Sequence, residues 1–189
     1  ALIQSIPKQE LAGSCIVPIE GTRDVISQIT TALNGLRDIR VLRVISHGSG
    51  GGLYFGSQKI NAEHLASRSV EVAGWGQSLA DGADVLLYGC SLAGSEDGAF
   101  FARELARLTH ANVAASVNPT GAGGDTFLEY KVGEVSSGLL ANHADYERAG
   151  VSLQLETSDS TLTTWTSNQN GTVTATMEFN LRGRFYYAG

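Results

Sequence analysis

Two residues in this chain can do covalent chemistry together, a histidine and a cysteine, and each closes an apolar run. The first run is Val41-Leu42-Arg43-Val44-Ile45-Ser46-His47-Gly48; the second is Asp84-Val85-Leu86-Leu87-Tyr88-Gly89-Cys90-Ser91. Short apolar runs of this kind form strands buried on both faces. If the two lie parallel in one sheet, their carboxyl ends share the edge where open α/β sheets hold ligands, and His47 meets Cys90 there. A thiol beside an imidazole is the minimum equipment for cysteine nucleophilic catalysis. Both ends run into small residues, Gly48-Ser49-Gly50 and Ser91-Leu92-Ala93-Gly94, which let a substrate backbone approach. The main-chain amides of Gly48 and Cys90 are candidate donors to a developing oxyanion. A helix opening near Asp97 would aim its N-terminus at this edge and favour a thiolate at Cys90. Taken singly, the cysteine reads as packing and the His-Gly pair as a turn; the argument rests on the two together.

Other polar residues are weaker candidates. Asp125, in Gly123-Gly124-Asp125, falls in a loop the fold brings near the same edge. It either recognises a basic substrate residue or caps a turn. Glu20 and Asp24 follow the first strand and are placed to line the site or to sit outside it. His64, His110 and His143 have no metal-ligand spacing with one another or with either cysteine, so no metal site is expected from them. The stretch Ser46 to Gly52 is glycine-rich but lacks the Gly-Lys-Ser/Thr of a phosphate loop.

The elements that must hold this edge follow from periodicity. Ala1 to Glu10 reads as a short helix or a lead-in, and Cys15 to Ile19 as a strand, placed at a sheet edge by Pro18. Val25, Ile26, Ile29, Leu33 and Leu36 recur at helical spacing up to Asn34-Gly35. Leu53 to Gly56 and Gln58 to Ile60 read as a hairpin about Gly56-Ser57. Asn61 caps a helix over Ala62 to Leu79, ended by Asp81-Gly82. A helix over Asp97 to Thr109 buries Phe100, Phe101, Leu105 and Leu108. Strands follow at Asn112 to Ser116 and Thr126 to Lys131, separated by a Gly/Pro loop. This β-α-β-α-β alternation predicts a mostly parallel sheet, right-handed crossovers and helices on both faces. Past Val135 the composition turns to Thr and Ser. Residues 136–150 read as a linker and 151–189 as a β-rich extension or hairpin. Its strands are Ser152 to Glu156 and Thr172 to Phe179, which alternate apolar and polar in antiparallel style.

Composition sets the outer limits. The chain has 189 residues, 42% hydrophobic and 17% charged, which is globular and enough for one domain with an appendage. A net charge of −6 argues against a nucleic-acid surface. No apolar run approaches the ~20 residues of a membrane span. The two cysteines, Cys15 and Cys90, open and close strands at opposite sheet edges, beyond the ~7 Å reach of a disulfide.

The Ser46-His47-Gly48 and Tyr88-Gly89-Cys90-Ser91-Leu92-Ala93-Gly94 segments resemble the His-Gly and Gly/Ala-Cys motifs of caspase-like cysteine peptidases. More closely, four segments in order resemble the bacterial DUF4347 domain: VISHGSGGGLYFG, GADVLLYGCSLAG, ANVAAS and GGDTFLEY. The resemblance runs from about Gly13 to Glu134 and excludes Val151 to Gly189. It implies a caspase-like three-layer α-β-α sandwich over residues 1–135, with His47 as general base or acid and Cys90 as nucleophile. It also implies an oxyanion hole from the Gly48 and Cys90 amides, and peptide-bond hydrolysis without metal or cofactor. The family's setting in large multidomain proteins implies a secreted or cell-surface location. It also implies a strand-helix unit upstream of Ala1, so that one strand of the usual sheet is absent here or replaced.

Three readings stand at this point. One is a cysteine endopeptidase acting on a peptide, on a protein, or on its own polypeptide. A second is a non-catalytic adhesin or assembly module, self-associating through its C-terminal strands. A third is another thiol hydrolase or acyltransferase with the same dyad.

Overall fold

The computed structural model describes residues 14–121, 123–138 and 174–180, the last through its backbone. The expected Ala1 to Glu10 helix and the Ser152 to Glu156 strand lie outside the described residues. So does most of the 136–150 linker.

Six strands form the main sheet. They are β1 (Ser14–Glu20), β2 (Ile39–Ile45), β6 (Leu79–Tyr88), β7 (Asn112–Ala115), β8 (Tyr130–Val132) and β9 (Thr174–Asn180). Their order across the sheet is β1-β9-β2-β6-β7-β8. β2, β6 and β7 pair parallel. β9 is antiparallel to both β1 and β2, so those two also run the same way. β8 turns back antiparallel on β7. The fold is therefore mixed α/β, with a mostly parallel sheet plus antiparallel strands. A second sheet of three short strands, β3 (His47–Ser49), β4 (Gly52–Phe55) and β5 (Gln58–Ile60), follows directly on β2.

The helices are α1 (Val25–Leu33), α2 (Ala62–Ser67), α3 (Ser69–Trp75) and α4 (Glu96–Thr109). Three of them have a side-chain cap at the start. Asp24 Oδ1 accepts from Ser27 N at 2.7 Å, Asn61 Oδ1 from His64 N at 3.1 Å and Ser95 Oγ from Gly98 N at 3.3 Å. The single helix expected over Ala62 to Leu79 is broken at Arg68, whose φ is −117° and which ends α2 and precedes α3. Arg68 is held there by Glu71, Asp24 and the Ser27 hydroxyl, an ion-pair cluster that replaces helix continuity. Phe100, expected in the buried stripe of α4, is 47% exposed; Phe101, Leu105 and Leu108 are buried as expected. Phe100 lies instead under the Arg103 guanidinium, 5.9 Å away.

All four described helices pack on one face of the sheet. Their buried residues share a single cluster with Leu42 and Val44 of β2, Val85 and Leu87 of β6, and Val113 and Ala115 of β7. The expectation of helices on both faces is not met among the described residues. The reason is topological. The strand order advances in one direction from β2 to β6 to β7, so successive right-handed crossovers land on the same side. The alternate residues Val41, Ile45, Leu86, Tyr88 and Ala114 point to the other face and are buried as well.

The chain after β8 begins to cross that second face, and it is anchored by a buried carboxylate. Asp84 Oδ2 accepts from the amides of Ser136 at 3.0 Å and Ser137 at 2.7 Å, and Oδ1 accepts from Asn112 Nδ2 at 3.0 Å. Arg43 Nη2 donates to Gly138 O at 3.3 Å nearby. Burial pushes the Asp84 carboxyl up, but the hydrogen bonds from Ser137, Asn112 and Ser136 outweigh it and hold the group below the usual carboxylate range. A depressed carboxylate contributes stability that is present above its ordinary value and is lost as pH falls through the depressed one. We expect Asp84→Asn to cost about 2–3 kcal/mol near neutral pH, the cost of hydrogen bonds to a charged group. It should also flatten the acid limb of the stability profile in denaturant melts from pH 7 to pH 2. An unchanged acid limb would show that Asp84 does not carry it.

Candidate active site

Ile45 of β2 stands opposite Tyr88 of β6, and Ser46 N donates to Tyr88 O at 3.1 Å. His47 and Cys90 follow two residues after this last pair, and Gly48, next to His47, packs on the Gly89-Cys90 peptide. There β2 gives way to β3, so His47 is not in a loop but opens the small sheet, opposite Tyr54. Its cross-strand neighbours on the same face are Tyr54 and Lys59, with the Lys59 ammonium 5.5 Å from the Tyr54 ring. The other face of the small sheet is apolar and buried through Leu53, Phe55 and Ile60.

Glycine makes this junction possible. A Cβ on Gly48 would lie 2.5 Å from the Gly89 carbonyl carbon and 2.8 Å from the Cys90 nitrogen. The two strand ends therefore touch backbone to backbone. β3 and β4 join through the two-residue turn Gly50-Gly51, with Ser49 opposite Gly52 and Gly48 opposite Leu53.

Cys90 is 1% exposed, and the turn after it is tight. Ser91 has φ of 50°, in the left-handed region, and its amide donates to Asn118 O at 2.8 Å. Ala93 N donates to Ser116 O at 2.9 Å. α4 starts immediately behind: a Cβ on Gly98 would sit 1.6 Å from Leu92 O. The N-terminus of α4 thus abuts the turn after Cys90, as expected. Its first turn carries Glu96 and Asp97, whose charges oppose the helix dipole's preference for an anion.

The thiol has a partner that the sequence did not reveal. Cys90 Sγ donates to Thr120 O at 3.2 Å and accepts from Thr120 N at 3.0 Å. The signal for it was available, because the loop after β7 in a parallel sheet falls on the same edge as the loops after β2 and β6. Asp125 lies in that loop. Its Oδ1 accepts from Phe127 N and its Oδ2 from Asn118 Nδ2, each at 2.9 Å. Asn118 Nδ2 also reaches Glu129 Oε1 at 2.7 Å. In this arrangement the Asp125 carboxylate closes the loop that clasps the thiol.

β9 separates β1 from β2, Glu20 N is bound to Gln28 Oε1, and Asp24 serves the α1 cap and Arg68. Neither cysteine forms a disulfide. A surface cavity of about 450 Å³, lined by residues including Gln58, Lys59, His64 and Arg68, contains neither His47 nor Cys90.

Two outcomes follow. Gly48→Ala should destabilise the fold by about 2–3 kcal/mol, at the upper end for overpacking, because the obstructing atoms are backbone. Gly89→Ala should cost less in the same denaturant melts, since its Cβ first meets the flexible end of Leu53. Asp125→Ala should raise the alkylation rate of Cys90 about fivefold, the factor for one hydrogen bond of ~1 kcal/mol. An unchanged rate would separate Asp125 from the clasp and leave substrate recognition as its role.

Residues 2–149 match a protein family described as a domain of unknown function, DUF4347. A search of curated proteins found no match, and neither did a search of solved structures. The match covers more than three quarters of the chain and takes in β2, β6 and both strand-end motifs; the chain belongs to the DUF4347 family.

Proposed function

We propose that this protein is a caspase-like cysteine endopeptidase, with His47 and Cys90 as its dyad and a three-layer sandwich as its scaffold. The observation that supports it most is the close approach of Gly48, next to His47, to the peptide of Gly89 and Cys90 at the ends of β2 and β6. In this reading His47 takes the Sγ proton as the sulfur attacks a peptide carbonyl. The oxyanion is received by the Gly48 and Cys90 amides. The leaving amine takes the proton back from His47, and water hydrolyses the thioester, returning the thiol. The substrate is a peptide or protein, including a segment of its own polypeptide, and the setting is extracellular or at a cell surface.

The Sγ lies within hydrogen-bonding distance of both the Thr120 N–H and the Thr120 carbonyl. In this reading the Thr120 main chain gives up the sulfur before it attacks the substrate. The same observation supports a second reading, a non-catalytic assembly module in which the clasp is permanent. No helix among the described residues is long and apolar enough to cross a membrane.

Alkylation of Cys90 across pH, with Cys15 as internal reference, separates the two readings. Rapid labelling well below the ~8.5 of an ordinary thiol, lost in His47→Ala, is expected of a working dyad. Self-processing of the purified chain, followed by mass spectrometry, should vanish in Cys90→Ala and fall about 10²–10⁴-fold in His47→Ala. Slow labelling with an ordinary thiol profile, and no processing, would favour the assembly module.

A further inference from the structure

The interior of the main sheet contains a strand from outside the family domain. The match ends at residue 149, and β9 begins 25 residues later, at Thr174. All seven residues of β9 face a partner on β1, from Ser14 opposite Asn180 to Glu20 opposite Thr174. Five of them also face β2, from Val41 opposite Asn180 to Ile45 opposite Thr176. β1 and β2 are consecutive parallel strands joined through α1, yet β9 lies between them. Without it, β1 has no hydrogen-bonded neighbour in the described sheet. β2 would present an open edge while Val41, Leu42, Val44 and Ile45 are otherwise buried. Two facing edges one strand apart satisfy an extended peptide on both sides through its main chain, which is recognition by strand addition. The occupant, Thr-Ala-Thr-Met-Glu-Phe-Asn, alternates polar and apolar residues along its whole length, the period of a strand.

We infer that the slot between β1 and β2 is a strand-acceptor site whose ligand is the chain's own segment Thr174–Asn180, bound as a separable peptide and not as a part of the domain. The slot holds that strand when its covalent link to the domain is cut. This is independent of whether Cys90 turns over substrate.

The register supplies the test. Cys15 stands opposite Phe179 across β1 and β9. Opposed residues of antiparallel strands have Cα atoms about 4.5–5.5 Å apart, within the range a disulfide spans. The full chain would carry Phe179→Cys, Cys90→Ala to leave Cys15 as the single native thiol, and a protease recognition site placed within residues 155–165. After cutting, the sample is passed through gel filtration and then oxidised with glutathione disulfide. The glutathione disulfide is reduced to two glutathione thiols as the bond forms between Cys15 and the thiol introduced on β9. The expected result is that the C-terminal fragment co-elutes with the domain and is joined to it on a non-reducing gel. Met177→Pro, which removes an N–H from a strand flanked on both sides, should lower the cross-linked yield at least about tenfold. If Met177→Pro fails to fold, the cut chain without it still decides the matter. Elution of the fragment apart from the domain would overturn the inference, as would co-elution without the disulfide. So would a disulfide-linked band at twice the chain mass before cutting, since it would place the strand on a second copy.

Discussion

The structure depends on a contact with no side chains in it. At Gly48 and Gly89 the ends of β2 and β6 meet main chain to main chain, and no other residue type fits at Gly48 without moving the backbone. Everything at the candidate site follows from that approach. It brings the residue after His47 against the peptide that leads into Cys90, it lets β3 leave the main sheet at once, and it leaves Leu53 to seal the junction from the far side. The same device recurs one turn later, where Gly98 lets the first turn of α4 rest on Leu92 O. The site is thus built from packed backbone, and rigid elements place reactive groups more reproducibly than loops do.

Against this rigidity stands one engaged group. The Cys90 thiol is buried and bonded on both sides to Thr120, within a loop closed by Asn118, Asp125 and Glu129. The clasp consists of main-chain bonds from Thr120, while the loop is fastened by side chains that are half-buried or exposed. Groups near solvent lose less on opening, so the loop is where the site's mobility would be concentrated.

What the sequence made legible was local or periodic. The βαβ alternation, the Asn61 cap, the hairpin about Gly56-Ser57 and the edge position of Pro18 each follow from a few neighbouring residues, and each is present. The misses are long-range. Arg68 breaks a helix because Asp24, Ser27 and Glu71 collect around it, and two of those lie more than forty residues away. Phe100 has the spacing of a core residue but sits at the margin of the buried stripe, where Arg103 covers it. The pairing of Thr120 with Cys90 joins backbone to thiol across thirty residues and leaves no mark in composition. β9 was legible as a strand, but its place between β1 and β2 was not, because nothing in seven residues says which edges they will meet.

That placement bears on how the chain is made. The register joins Ser14 to Asn180, residues 166 apart in sequence (180 − 14). On a ribosome, β2, β6 and β7 can assemble with their crossover helices as soon as Ala115 has emerged. β1 has to wait for β9 while its main chain is solvated or held by α1 alone. Closing so long a loop is slow, and unpaired edges persist in the interval. Of the described strands, the earliest to emerge is therefore the last to be fixed, and the sheet closes from its far end back toward β1.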